Sequence, residues 1–162
     1  MSQTVTRARI GLAAMLLVVA AADGLSQAAA KPEAEPSAAA HPAYAGRILP
    51  HILPGRMAPN TTAMIRVTVE NESNRNWQSL PPPGIALSYH WLGTQGKILV
   101  WDGIRTGFPV EVRPGQKKAM FLAVQPPSEP GRYVLQVTLV EDGVAWFENK
   151  GFVSVSMPVE VR

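Results

Sequence analysis

Proline and glycine set the terms on which this chain can fold. There are 15 prolines and 13 glycines in 162 residues, and beyond Arg47 they fall in clusters that leave no room for a long helix. Leu80-Pro81-Pro82-Pro83-Gly84, Gly93-Thr94-Gln95-Gly96, Arg113-Pro114-Gly115-Gln116 and the segment Gln125 to Gly131 each interrupt the chain. Proline removes a backbone donor and glycine admits turn conformations, so this punctuation favours short strands joined by turns.

The stretches between these breaks alternate with a period of two. In Thr62 to Glu70, Ile65, Val67 and Val69 point one way, and Met64, Arg66, Thr68 and Glu70 the other. That is the pattern of a half-buried strand. In Ile85 to Leu92, Ile85, Leu87, Tyr89 and Trp91 share a face opposed by Ala86, Ser88, His90 and Leu92. Gly93 to Gly96 reads as a hairpin turn, with Lys97 to Trp101 returning as the partner strand. Pro114-Gly115 has the composition of a type II turn, and Lys117 to Val124 follows as a strand. In Arg132 to Val140, Tyr133, Leu135, Val137 and Leu139 read inward, and Arg132, Gln136 and Thr138 outward. Val144 to Phe147 is a short apolar piece. Phe152 to Val161 is the last strand, with Val153, Val155 and Met157 on one face and Pro158 marking an edge or bulge. About seven short strands at this spacing predict an all-β, Ig-like β-sandwich over residues 47–162.

The first 30 residues read as a signal peptide. Arg7 and Arg9 form a charged start, Ile10 to Ala22 is apolar, and Ala28-Ala29-Ala30 supplies a small-x-small cleavage site. A spanning helix needs about 20 apolar residues, and this stretch is shorter and ends at Asp23. The expectation is export to the periplasm or beyond the cell. A membrane association is expected only if the leader stays uncleaved. Residues 31–46, rich in Ala and Pro, read as a flexible linker.

Charge and cysteine content narrow the function. The net charge is +3, and removal of the leader leaves about +2, too weak a balance to imply nucleic acid. With no cysteine, the chain has neither disulfides nor thiolate metal sites.

Several segments are similar to known domains. Asn71 to Trp77, LSYHWL at 87–92, WDGIRT at 101–106, PGQ at 114–116, PGRYVLQV at 130–137 and GVAWF at 143–147 resemble an Ig-like domain attached to bacterial glycosyltransferases and methyltransferases of surface-polysaccharide pathways. The frame is also similar to the four-tryptophan domain of autophagy receptors. The resemblance spans roughly residues 60 to 160, the extent of one domain. It implies a sandwich and an association with surface carbohydrate. No catalytic domain is expected beside the sandwich.

No catalytic constellation is legible. His41 lies in the linker, His51 before the first clear strand and His90 mid-strand, with none at a metal-ligand or nucleophile-elbow spacing. There is no H-E-x-x-H and no phosphate loop, so neither a metal nor a cofactor is expected, and the chain is read as a non-enzyme. Tyr133 and Trp91 read as structural, Tyr133 because a tyrosine after a turn can lock the corner of a sandwich with its hydroxyl. His90, Trp101, Asp102, Arg105 and Trp146 are the candidate ligand residues. An aromatic face beside a carboxylate and a guanidinium suits a sugar, whose C–H groups stack on the ring while its hydroxyls bond the charged groups. The same residues can equally finish the packing of the sheet, with Asp102 at the turn and Arg105 paired to it. The expected function is an exported binding module for cell-surface polysaccharide. The alternative is an adaptor or accessory subunit that pairs with an envelope protein through an edge strand such as Phe152 to Val161.

Overall fold

The computed structural model describes residues 42–162. The leader and most of the linker lie outside the described residues. The strands are β1 (Gly46–Pro50), β2 (Arg56–Met57), β3 (Ala63–Asn71), β4 (Ile85–Gly93), β5 (Ile98–Val100), β6 (Thr106–Gly107), β7 (Lys117–Val124), β8 (Gly131–Glu141), β9 (Ala145–Trp146) and β10 (Val155–Val161), with a 3-10 turn at Phe147–Lys150. They form two sheets. One is three-stranded, in the order β1-β3-β7. The other runs β2-β10-β8-β4-β5, with β6 against β4 and β9 against β8. The protein is an all-β, Ig-like sandwich.

Alternation built this core. Ile65, Val67 and Val69 of β3 and Met120, Leu122 and Val124 of β7 face Leu87, Tyr89 and Trp91 of β4 and Leu135, Val137 and Leu139 of β8. Burying such side chains is the main driving force for bringing two sheets together. Most buried polar atoms find partners; among the described residues Trp77 Nε1 and Ser154 Oγ do not. Trp91 Nε1 donates to the Gln125 carbonyl at 2.9 Å, and Tyr89 Oη accepts from the Gln125 amide at 2.8 Å. Asn71 has no exposed surface, and its Nδ2 donates to the carbonyls of Arg75 and Val112. That residue organises the loop to Trp77, which is itself fully buried. Tyr133 Oη donates to the Glu129 carbonyl four residues upstream, at 2.8 Å. At Gly115 φ is +78°, and the Gln116 amide donates to the Arg113 carbonyl at 3.0 Å, closing the turn before β7.

The structure departs from the sequence reading in five places. First, β1, β2 and β6 are additional strands of two to five residues, too short to show a period. Second, the domain begins before residue 47. Tyr44, read as part of the linker, is 9% exposed, packs its ring against Phe147 at 4.8 Å and donates to Glu141. Third, Thr138, read as outward, is fully buried. Fourth, Val153, read on one face of the last strand with Val155 and Met157, precedes β10 and is 70% exposed, while Met157 is fully buried. Fifth, β10 is not a free edge. β2 runs parallel to its end, pairing Arg56 with Glu160 and Met57 with Val161. The Glu160 amide donates to the Gly55 carbonyl on that side. Pro158, two residues earlier, turns its missing donor toward the same side, where β2 does not reach, so no ladder bond is lost.

Candidate functional site

β4 is buried on both faces. Its inner face is the core just described. Its outer face carries Ala86, Ser88 and His90, which alternation alone would leave in solvent. Two segments cover them. Residues 101–105, between β5 and β6, fold back along β4: the Gly103 amide donates to the Tyr89 carbonyl at 3.0 Å, and Ser88 Oγ donates to the Gly103 carbonyl at 3.1 Å. The second segment is β9 with the 3-10 turn, which brings Trp146 and Glu148 onto β4 and β8.

His90 lies at the centre of this cover, with no exposed surface. Its Nδ1 donates to the Trp101 carbonyl, since a carbonyl only accepts. Its Nε2 meets Glu148 Oε1 at 2.8 Å, and Thr138 Oγ1 donates to the other Glu148 oxygen. The Trp101 indole stacks on the imidazole at 4.2 Å and 14° between planes. Trp146 leans on the imidazole at 4.5 Å and meets Trp101 edge-on at 5.5 Å. Burial pushes the Glu148 carboxyl up, but hydrogen bonds from His90, Thr138 and its own backbone outweigh this and hold it below its ordinary range.

The rim is charged. Arg105 donates from Nη1 to Asp102 and from Nε to Asp142, and its guanidinium lies 5.5 Å from the Trp146 ring centre. A hollow of about 230 Å³ opens beside it, bordered by Arg105, Glu141, Gly143, Val144 and Trp146. Trp101 itself remains 43% exposed. Three larger hollows lie elsewhere. One, about 520 Å³, is between β8 and β10 beside Tyr133 and Pro158. Another, about 660 Å³, is on the outer face of the three-stranded sheet beside Ile52, Met64 and Phe121, and a third, about 360 Å³, lies beside Glu111, Lys117 and Lys118. None of the three sets an indole face among convergent charged groups, so chemistry favours the smallest one.

The five residues singled out from the sequence thus lie together. Their roles divide. Trp101, Asp102, Arg105 and Trp146 reach the surface. His90 does not, and it supports the indoles from beneath rather than facing a ligand. Asp142 and Glu148 complete the arrangement and were not singled out in the sequence, where each reads only as a polar residue near a turn. Among the described residues, no group of three or more His, Asp or Glu is placed to hold a metal ion.

No protein-family model and no curated protein sequence matches the chain. Among solved structures, the chain is similar to the CARDB domain of a Pyrococcus furiosus protein, at 17% identity and a TM-score of 0.42 over 72% of this chain and 93% of that one. A crystal structure of the same domain in complex with di-metal ions aligns at 16% identity and a TM-score of 0.41, over 72% and 89% of the two chains. A β-glucosidase from Listeria innocua in complex with glucose aligns at 12% identity and a TM-score of 0.46. The match covers 72% of this chain and 16% of the enzyme.

Proposed function

We propose that this protein is an exported, non-catalytic binding module whose ligand is a cell-surface carbohydrate held on the Trp101 platform. One observation supports it above the others: an exposed indole is stacked on a fully buried histidine and meets edge-on a second indole, Trp146, beside which Arg105 is paired with Asp102 and Asp142. A preorganised aromatic face loses little entropy on binding, and charged groups at its rim can bond sugar hydroxyls. The resemblance of WDGIRT and GVAWF to domains of surface-polysaccharide enzymes points the same way. Titration of the purified protein with polysaccharide from the producing cell, read by tryptophan fluorescence, tests the reading. A saturable change that disappears in Trp101→Ala is expected. Identical titrations of the two proteins would overturn it.

A second reading, an adaptor for an envelope protein, is favoured by β5. This edge strand exposes Ile98, Leu99 and Val100, and it has no internal charge or proline. The other edges are guarded: Arg47 and Pro50 lie in β1, Lys117 and Lys118 in β7, and the two-residue β2 carries Arg56. An extended partner segment would add beside β5. A photo-crosslinker placed at Leu99 in living cells should then capture one discrete partner, whereas one at Phe121 should not. Equal labelling at both positions counts against an adaptor role.

A further inference from the structure

The platform's charge says which sugars it accepts. This step rests on the carbohydrate reading. We propose that the site selects uncharged or amino-bearing glycans and rejects anionic ones.

Arginine normally grips an anionic sugar through the fork of its guanidinium, with two parallel hydrogen bonds to one carboxylate. Here two of the three guanidinium nitrogens are already engaged. Nε is bonded to Asp142, and Nη1 to Asp102 and the Gly103 carbonyl. The rim holds two carboxylates for one guanidinium, leaving one negative charge in excess. Asp102 and Asp142 keep side-chain exposures of 60% and 49%, so they present acceptor oxygens outward. The neighbouring charges do not reverse the balance. Glu141 is matched by Arg75 at 2.7 Å, and Glu148 is turned inward, bonded to His90 and Thr138 beneath the indoles.

The chain as a whole is positive, with a formal charge of +3, and long-range attraction alone would favour an anionic polymer. Screening removes that pull beyond about 8 Å at physiological salt, so contact charges decide. At the rim these charges repel carboxylate and phosphate. They favour hydroxyl donors, and ammonium groups more strongly, since a cation also gains from the indole faces.

Two measurements on the purified protein test this. The first needs no ligand. Tryptophan emission is quenched with iodide, acrylamide and caesium, and the contribution of Trp101 is isolated by comparison with Trp101→Phe. Iodide is expected to quench Trp101 several-fold less than it quenches a free indole, relative to acrylamide, and caesium more. Asp102→Asn and Asp142→Asn should each restore iodide quenching, as should added potassium chloride, which needs no substitution. The second uses oligosaccharides of glucose, N-acetylglucosamine, glucosamine and galacturonate. The galacturonate oligomer is expected to bind roughly tenfold more weakly than the uncharged ones. Equal or tighter galacturonate binding, or unimpeded iodide quenching, would overturn the charge inference and leave the platform standing. Failure of every oligosaccharide, with titrations unaltered by Trp101→Ala, would sink the platform and this inference together.

Discussion

Glu141 is 6% exposed and still charged. Arg75 makes this possible with two parallel bonds of 2.7 Å, and Tyr44 adds a third at 3.0 Å. Removing one partner of such a pair leaves an uncompensated charge. Because the Arg75 side chain is 32% exposed, water can replace part of what is lost. Arg75→Ala is expected to cost about 2–3 kcal/mol in urea unfolding, below the range for a fully buried pair. The same carboxyl carries a pH signature. Bonds from Arg75 hold Glu141 below its ordinary value against the opposing effect of burial, and Tyr44 assists; Glu148 is likewise lowered. The unfolded chain therefore takes up protons first as pH falls. Stability from both groups is fully present above the ordinary value of 4.5 and is lost as pH falls through the lowered folded values. Urea midpoints measured from pH 7 to pH 3 should drop in that acid window, and Glu141→Gln should flatten the drop.

Among the elements, the 101–105 segment depends on a glycine. A Cβ on Gly103 would lie 2.5 Å from the Tyr89 carbonyl oxygen and 2.7 Å from its ring. Gly103→Ala should push this segment off β4, destabilise the domain by about 1–3 kcal/mol and weaken ligand binding at Trp101, with the β-sheet circular dichroism retained. None of this is visible locally. The strands β3, β4, β7 and β8 could be read because each alternates for long enough to show its period. The two-residue strands β2, β6 and β9 cannot show one. The outer face of β4 misled for a related reason. Alternation shows that His90 opposes the inner face, but what covers it arrives from 11 and 58 residues away. Trp101, Asp102, Arg105 and Trp146 were recognisable as unusual surface chemistry. Asp142 and Glu148 were not, because only the closing of the sheet brings them to Arg105 and His90.

For the whole molecule, the N-terminal boundary is set by packing rather than composition. The Ala/Pro-rich character runs on through residue 46, yet the Tyr44 ring joins Phe147 in the core and the Arg75 guanidinium lies over it at 4.8 Å. A chain starting at Arg47 should therefore melt lower than one starting at Pro42, and Tyr44→Ala should cost about 3–5 kcal/mol, as for other buried aromatics. Equal melting of the two chains would show that the Tyr44 contacts contribute nothing. The domain's two halves also differ in how firmly they are held. The inner core is shared by long strands of both sheets. The outer layer over His90 rests on a three-residue strand, a two-residue strand and a single 3-10 turn. Short pieces with few ladder bonds open locally before the global transition. On warming, the indole pair should come loose while the sandwich persists, so the working temperature of the protein is set by its lid and not by its melting point.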